Sequence, residues 1–346
     1  MVSVDGSLLE GGGQILRMAS ALSAITAVPL EVTNIRKGRT TPGLRPQHLT
    51  GLKLISQMCS AMSEGLAVGS TEIMMVPGQM RWQDERFVGD TGTAGSCALL
   101  AQATVPCALY CGMGTPAACA QERAARRVTL NFRGGTEAGM APPIGYLQHV
   151  LYPLLRKLQS LEVELEVERR GFVPRGGGSV VVKVPPLQPG AALRPFTWND
   201  RGRITAVHVE TVFGGTFPRG SAEAMASAAS QMLREQLKDV TIHSTTVCDK
   251  AAEGGGAAVL LVAESEHGCL LGASVLAARK QSPETTVQFA VRDLLRELEH
   301  GGCCPPPRSL TCTHRGHGTN RCHELNRHSS GCLLQDAWTN GCRTSS

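Results

Sequence analysis

Between Gly13 and Ala27 apolar side chains return every three or four positions, at Ile15, Leu16, Ala19, Leu22 and Ile25. That spacing is one face of a helix. A β-like run, Leu30-Glu31-Val32-Thr33-Asn34-Ile35, follows it. The order then repeats. Leu49, Leu52, Leu54, Ile55 and Met58 predict a second helix over Gln47–Met58, and Thr71–Val76 reads as the next strand. A third unit opens at Gly134-Gly135, and its helix, Ile144–Leu158, carries Ile144, Leu147, Leu151, Leu154 and Leu158 on one stripe. Pro153 should kink that helix, because proline has no N–H to donate. Leu161–Val167 alternates strictly between apolar and acidic residues, the mark of a strand with one face on a core and one in water. Val180–Val184 follows the turn Gly176-Gly177-Gly178 as a further strand.

Pro185–Gly190 interrupts the pattern as a linker. Beyond it come a strand at Ile204–Phe213, a helix at Ser221–Lys238, and strands at Val240–Thr245 and Ala258–Glu264. Ser282-Pro283-Glu284 opens a last helix running to His300, with serine as N-cap and proline at the first helical position. After Gly302 the periodicity stops. Glycine turn, amphipathic helix and strand recur in that order, which points to structural duplication. Helices over strands with one wet face predict an α+β fold.

Composition adds limits. At 346 residues the chain has room for roughly two domains, and 42% apolar with 18% charged residues is a globular balance. Nowhere do about 18 apolar residues follow one another, so no transmembrane helix is expected. The start, Met1–Gly6, lacks a basic region ahead of an apolar stretch, so no secretory signal is expected either. The formal net charge is +5, but three of those charges fall within residues 301–346. Any case for nucleic acid must therefore rest on local clusters.

The 13 cysteines divide in the same way. Cys59, Cys97, Cys107, Cys111, Cys119, Cys248 and Cys269 mostly lie in apolar surroundings, as reduced cysteines of a cytosolic or nuclear protein do. Six more crowd into the tail with His314, His317, His323 and His328. Zinc is one reading of such a tract. Irregular spacing without a CxxC pair favours the other, a tail with no core of its own.

Four segments carry candidate chemistry. Glu10-Gly11-Gly12-Gly13 leads into a helix, leaving backbone N–H groups open to an anion. Glu10 could hold a divalent metal, and Arg17, one turn on, could reach a phosphate; the bland alternative is a simple turn. Ile35–His48 places Arg36, Lys37, Arg39 and Arg45 on a Pro/Gly-rich loop, either a phosphate clamp or a solvated basic loop. Gly92–Cys97 with Gln102, and Gly134–Glu137 with Ala141-Pro142-Pro143, bring small residues to helix entries; taken singly, each suits helix packing better than a ligand.

Together these segments resemble the RNA 3'-terminal phosphate cyclases. The resemblance runs over DGxxxEGGGQILR (Asp5–Arg17), IRxGRxxPGLRPQHL (Ile35–Leu49), GSTEI (Gly69–Ile73) and TAGS with its glutamine (Thr93–Gln102). It continues through GGTxxxMAPxI (Gly134–Ile144), RGxxPxGGG (Arg170–Gly178) and HGG (His300–Gly302). It implies repeated modules of helices packed on four-stranded sheets over 1–191 and 281–302, with a smaller inserted α/β domain at 192–280. It implies an ATP-dependent conversion of an RNA 3'-phosphate to a 2',3'-cyclic phosphate, through nucleotidyl-histidine and RNA-adenylate intermediates, in the nucleus, with the cytoplasm as a second location. ATP and a divalent metal, Mg or Mn, would be the cofactors, and RNA with a 3'-terminal phosphate the partner. Glu10 would ligand the metal. Arg17, Arg36 and Arg39 would neutralise phosphates, and Gln47, Gln102 and Pro142 would line the nucleotide or RNA-end pocket. Two departures stand out. The span Cys111–Arg127 is longer than the family's, and its arginines read as a solvated insertion. After Gly302 the family's Tyr helix, Asp-Gln pair and nucleophilic histidine have no counterpart, so no nucleophile is assigned, and 303–346 is expected to be a disordered Cys/His-rich tail. An impaired or non-catalytic relative that binds RNA ends or protein partners is the alternative.

Overall fold

The computed structural model describes residues 1–8, 12–80, 86–111, 127–188, 191, 193–278 and 281–303. Their fold is mixed α/β, built on three four-stranded sheets. The first unit comprises β1 (Val2–Asp5), α1 (Gly13–Thr26), β2 (Leu30–Thr33), α2 (Pro46–Met58), β3 (Met62–Glu64) and β4 (Ile73–Val76). Its strands lie in the order β1-β2-β4-β3, with only the β1–β2 pair parallel. The second unit repeats that path. It comprises β5 (Arg86–Asp90), α3 (Cys97–Tyr110), β6 (Val128–Gly134), a composite helix, β7 (Glu164–Arg169) and β8 (Gly178–Val184), in the order β5-β6-β8-β7. The duplication expected from sequence is thus present in the strand order. It reaches local detail too: Asp5 and Asp90 each end a first strand and accept a hydrogen bond from the backbone N–H two residues on, at Ser7 and Gly92.

The composite helix is α-helical at Ile144–Tyr146 (α4), a wider π-turn at Leu147–Leu151, and α-helical again at Tyr152–Gln159 (α5). The wide turn lies just before Pro153, which cannot supply the N–H that an α-turn would need there. Its predicted stripe divides between two cores. Ile144, Leu147 and Tyr152 join the core of the second unit, while Tyr146, Val150 and Leu154 pack on Leu260 and Val262 of the third sheet. A helix between two sheets needs two apolar faces.

The third unit comprises β9 (Ile204–Gly214), α6 (Arg219–Gln236), β10 (Thr241–Asp249), β11 (Gly256–Ser265), β12 (Leu270–Leu276) and α7 (Pro283–Glu299). Its order, β10-β9-β11-β12, differs from the first two. Ser282 caps α7 by accepting from Thr285 N at 3.2 Å, as the sequence predicts. Val287, Ala290, Val291 and Leu294 of α7 share a core with Val207, Val209, Val259 and Leu261. We therefore propose a division that places α7 with the third sheet, whereas the family resemblance groups 281–302 with the repeated modules.

The first two units share one core through α3, in which 11 of 14 residues are buried. Such a helix is apolar on every side, so it shows no periodicity to read. Among the described residues no helix is long and apolar enough to cross a membrane. Of the cysteines expected in apolar surroundings, Cys59, Cys97, Cys107, Cys111 and Cys269 are free and buried, whereas Cys248 is exposed. Cys119 and all of the tail beyond Cys303 lie outside the described residues, as does most of the Cys111–Arg127 span. Arg127 itself is paired with Glu162 and Glu164.

Candidate functional site

The N-terminus of α1 begins at Gly13 with no acidic residue in its first turn, and among the described residues no side chain caps its N–H groups. Cations gather around it. A Cβ on Gly12 would come within 3.4 Å of Arg39 Nη2, and one on Gly13 would overlap the His48 ring and approach Arg17 Nη1 to 3.1 Å. The glycines are what let these side chains reach the helix end.

Arg17 and Arg36 are held from behind. Arg17 Nε donates to Gln102 Oε1 at 2.9 Å, tying α1 to α3. Burial lowers the Arg17 pKa to about 10, and the guanidinium stays charged at neutral pH. Arg36 takes a left-handed backbone, φ 55°, and its Nη1 donates to the carbonyls of Thr41 and Gly43 at 2.7 and 2.9 Å. It therefore braces the loop from within. Burial, then Arg45 and Arg39, lower its pKa. Gln47 Oε1 accepts from Ser96 N at 2.7 Å, which locks the start of α2 onto the N-cap of α3.

His48 lies in the middle of this set. Its Nδ1 accepts the Arg45 backbone N–H at 3.2 Å, so the neutral ring carries its proton on Nε2, the atom beside Gly13. Burial pushes its pKa down to about 4, helped by Arg36, Arg17 and Arg45. At neutral pH it is an uncharged N–H donor among cations. Because the folded pKa lies below the ordinary 6.5, the folded state binds fewer protons than the unfolded chain between those values. Stability should therefore fall as pH drops from 6.5 towards 4, and His48→Gln should flatten part of that fall in thermal melts run across this range.

Of the residues singled out in the sequence, Arg17, Arg36, Arg39, Gln47 and Gln102 come together around the α1 N-terminus and the loop after β2. Pro142 does not join their polar network; it is buried beside Ala141, which packs with Leu99 and Ala138. Glu10 lies outside the described residues, and among the described residues no three His, Cys, Asp or Glu side chains form a group that could hold a metal. His48 is the functional candidate that sequence reasoning passes over. A signal for it is present: it stands three residues after Arg45, where its ring can accept the N–H at the helix start.

A second set of glycine turns stacks behind this site. Gly135 N donates to Gly95 O at 2.7 Å and Cys97 N to Gly135 O at 2.9 Å, while Thr136 N donates to Gly171 O at 2.9 Å. At Gly134 and Gly171 a Cβ would strike neighbouring backbone. In this segment glycine serves close approach of chain to chain, in keeping with the packing role expected of these turns singly. Beside them Arg170 Nη1 and Glu137 Oε1 form a buried ion pair at 2.6 Å.

The chain matches the model described as RNA 3'-terminal phosphate cyclase over residues 8–306. It belongs to that family. It is 38% identical over 304 residues to "RNA 3'-terminal phosphate cyclase" of Ignicoccus hospitalis, covering 87% of this chain and 80% of the relative. To the protein of the same name in Nitrosospira multiformis it is 39% identical over 306 residues, covering 87% and 79%. To the "Probable RNA 3'-terminal phosphate cyclase" of Dictyostelium discoideum it is 32% identical over 306 residues, covering 87% and 66%. The arginine cluster, the stacked glycine turns and the Arg170 loop all lie inside the segment that matches this cyclase family. The tail beyond residue 306 lies outside it.

Proposed function

We propose that the chain converts an RNA 3'-terminal phosphate to a 2',3'-cyclic phosphate at the expense of ATP. The observation that carries this reading is the convergence of Arg17, Arg39 and the neutral Nε2–H of His48 on the N-terminus of α1. Such a donor set fits a phosphate-bearing group: two guanidiniums supply charge, and the N–H groups supply direction. A phosphate monoester is a poor electrophile, and ATP supplies the adenylyl group that turns it into a good one. The route follows the family resemblance. A histidine takes AMP from ATP as pyrophosphate leaves, the RNA 3'-phosphate then takes the AMP and frees the histidine, and AMP leaves when the 2'-hydroxyl closes on phosphorus. In that sequence the chain's own residues hold the phosphate, neutralise its charge and fix its approach. A divalent metal, Mg or Mn, fits the chemistry, with Glu10 as its proposed ligand.

One observation favours a second reading. The family match ends at residue 306 of 346, so a chain that binds RNA ends with impaired or absent cyclisation is the alternative. Incubation with ATP labelled at the α-phosphate and Mg or Mn, followed by a denaturing gel, separates the two. A labelled protein band that is chased by 3'-phosphorylated RNA is the expected result. Binding of 3'-phosphorylated RNA without any adduct would establish the alternative, and neither would remove both.

A further inference from the structure

A groove of about 610 Å³ opens on the other side of the Gly92–Ser96 loop. It is formed where β5, β6 and β7 end and β8 begins, by Asp90, Arg133, Glu168 and Ser179, and is closed by Arg175 and by Glu253 of the third unit. Its size is that of a small-molecule pocket, and it lies at a junction of units, where pockets commonly form.

Most of its polar groups are already committed. Arg169 Nε donates to Gly177 O at 2.7 Å, and its Nη1 pairs with Glu253 Oε1 at 3.0 Å. Glu168 Oε2 accepts from Ser179 Oγ at 2.7 Å, and Asp90 Oδ1 from Gly92 N at 2.8 Å. Arg133 and Arg175 are different. Both are exposed, and neither has a hydrogen bond or ion pair from its side chain to any described residue. The groove thus offers two free guanidiniums on a frame that its other charges hold in shape, next to carboxylates with acceptor capacity to spare.

The groove also has a fixed relation to the arginine cluster. Gly92 and Thr93 line it, while Ser96, four residues on from Gly92, is bonded to Gln47 at 2.7 Å. Four residues reach at most about 14 Å, so the groove begins within that distance of the Gln47 contact.

We infer that this groove is a subsite for the RNA chain immediately upstream of the 3'-terminal nucleotide. The inference rests on the proposed function, which places the 3'-phosphate at the arginine cluster. Arg133 and Arg175 take phosphates of the preceding linkages. Asp90 and Glu168 accept from 2'-hydroxyls, the group that separates RNA from DNA. Three guanidiniums face three carboxylates in the groove, so it does not attract polyanions by charge alone.

Binding to the full chain tests this, with two probes: uridine 3'-monophosphate, and a five-nucleotide single-stranded RNA bearing a 3'-phosphate. The pentanucleotide should bind the unaltered chain more tightly. In the double variant Arg133→Ala, Arg175→Ala its affinity should drop about tenfold or more, and the slope of log K against log salt should shrink by about 1.4, the value for two phosphate contacts on a single strand. Affinity for the mononucleotide should be unchanged. The single reversal Arg175→Glu, at an exposed position, should weaken pentanucleotide binding in the same sense. The all-deoxy pentanucleotide should bind less tightly than the RNA. An unaltered pentanucleotide affinity in both variants, or an equal loss for both probes, overturns the subsite and leaves the proposed function standing. Failure of the unaltered chain to bind either probe overturns both.

Discussion

Arg170→Ala should destabilise the protein by about 3–5 kcal/mol, measured by urea unfolding at pH 7.5. That range is typical when one partner of a buried ion pair is removed and the other is left behind. Glu137 is the partner left behind. Its residue is 1% exposed, its Oε1 has Arg170 at 2.6 Å, and its Oε2 is buried without a hydrogen bond. Burial raises its pKa to about 7 even though Arg170 opposes the shift. Without Arg170 the carboxyl must take up a proton or remain charged in a dry site. The pH dependence has a definite sign. A folded pKa above the ordinary 4.5 means that the folded state holds the extra proton, so this group's contribution is full below 4.5 and is lost as pH rises towards 7. The loss in Arg170→Ala should therefore be smaller at pH 5 than at pH 7.5. His48 runs the opposite way in the overlapping range, so comparison must be made with the unaltered chain at each pH. Glu137→Met with Arg170→Met should be less damaging than either single change. Equal, additive losses would mean that the two side chains do not act as a pair.

That pair also shows where sequence reading stops. Glu137 and Arg170 stand 33 positions apart, in segments that read only as a glycine turn and a loop. Arg17 and Gln102 are 85 apart, and no periodicity links them. Their partnership depends on α3 lying against α1, which is a matter of packing. What local pattern can specify is legible. One apolar face each betrays α1 and α2, a capping serine with proline betrays α7, and strict alternation betrays β7, although β7 begins at Glu164 instead of Leu161. Among the short strands only β2 and β4 carry enough pattern to be seen. β1, β3 and β5 have four, three and five residues, and the hydrophobic pattern predicts none of them. β12 escapes it as well: its Leu-Leu-Gly-Ala-Ser-Val-Leu run neither alternates nor holds a helical period.

The site is more legible than the sheets because its residues are clustered along the chain. Arg36, Arg39, Gln47 and His48 fall on one loop and the first turn of one helix, and the glycines that admit them stand at the start of α1. Clustering does not reveal which of the arginines is free to act. Arg36 holds the carbonyls of Thr41 and Gly43 through Nη1, whereas Arg39 has its guanidinium beside Gly12. Only the folded loop distinguishes the two, since they are three positions apart and chemically identical.

Arg39→Ala should weaken binding of 3'-phosphorylated RNA by about 10–150-fold while changing 3'-hydroxyl RNA far less. The range corresponds to the roughly 1.5–3 kcal/mol of a hydrogen bond to a charged group. The asymmetry between the two RNAs follows from position. Arg39 Nη2 lies at the α1 N-terminus, where a terminal phosphate would be met by backbone N–H groups as well. Arg36→Ala should behave differently. Its side chain holds the loop together, so its loss releases Arg39 and Arg45 along with it, lowers thermal stability, and weakens both RNAs. Arg36→Lys should restore part of the loop's stability, because both carbonyls accept from the single nitrogen Nη1 and an ammonium also has N–H groups for two acceptors. Arg39→Lys should rescue in part, because a point charge still meets a phosphate. Titrating both RNAs against the Ala and Lys variants of Arg36 and Arg39 at one fixed salt concentration checks this. If Arg39→Ala reduces the two RNAs equally, the arginine is drawing on the backbone of the RNA, and the phosphate belongs to Arg17 and His48 alone.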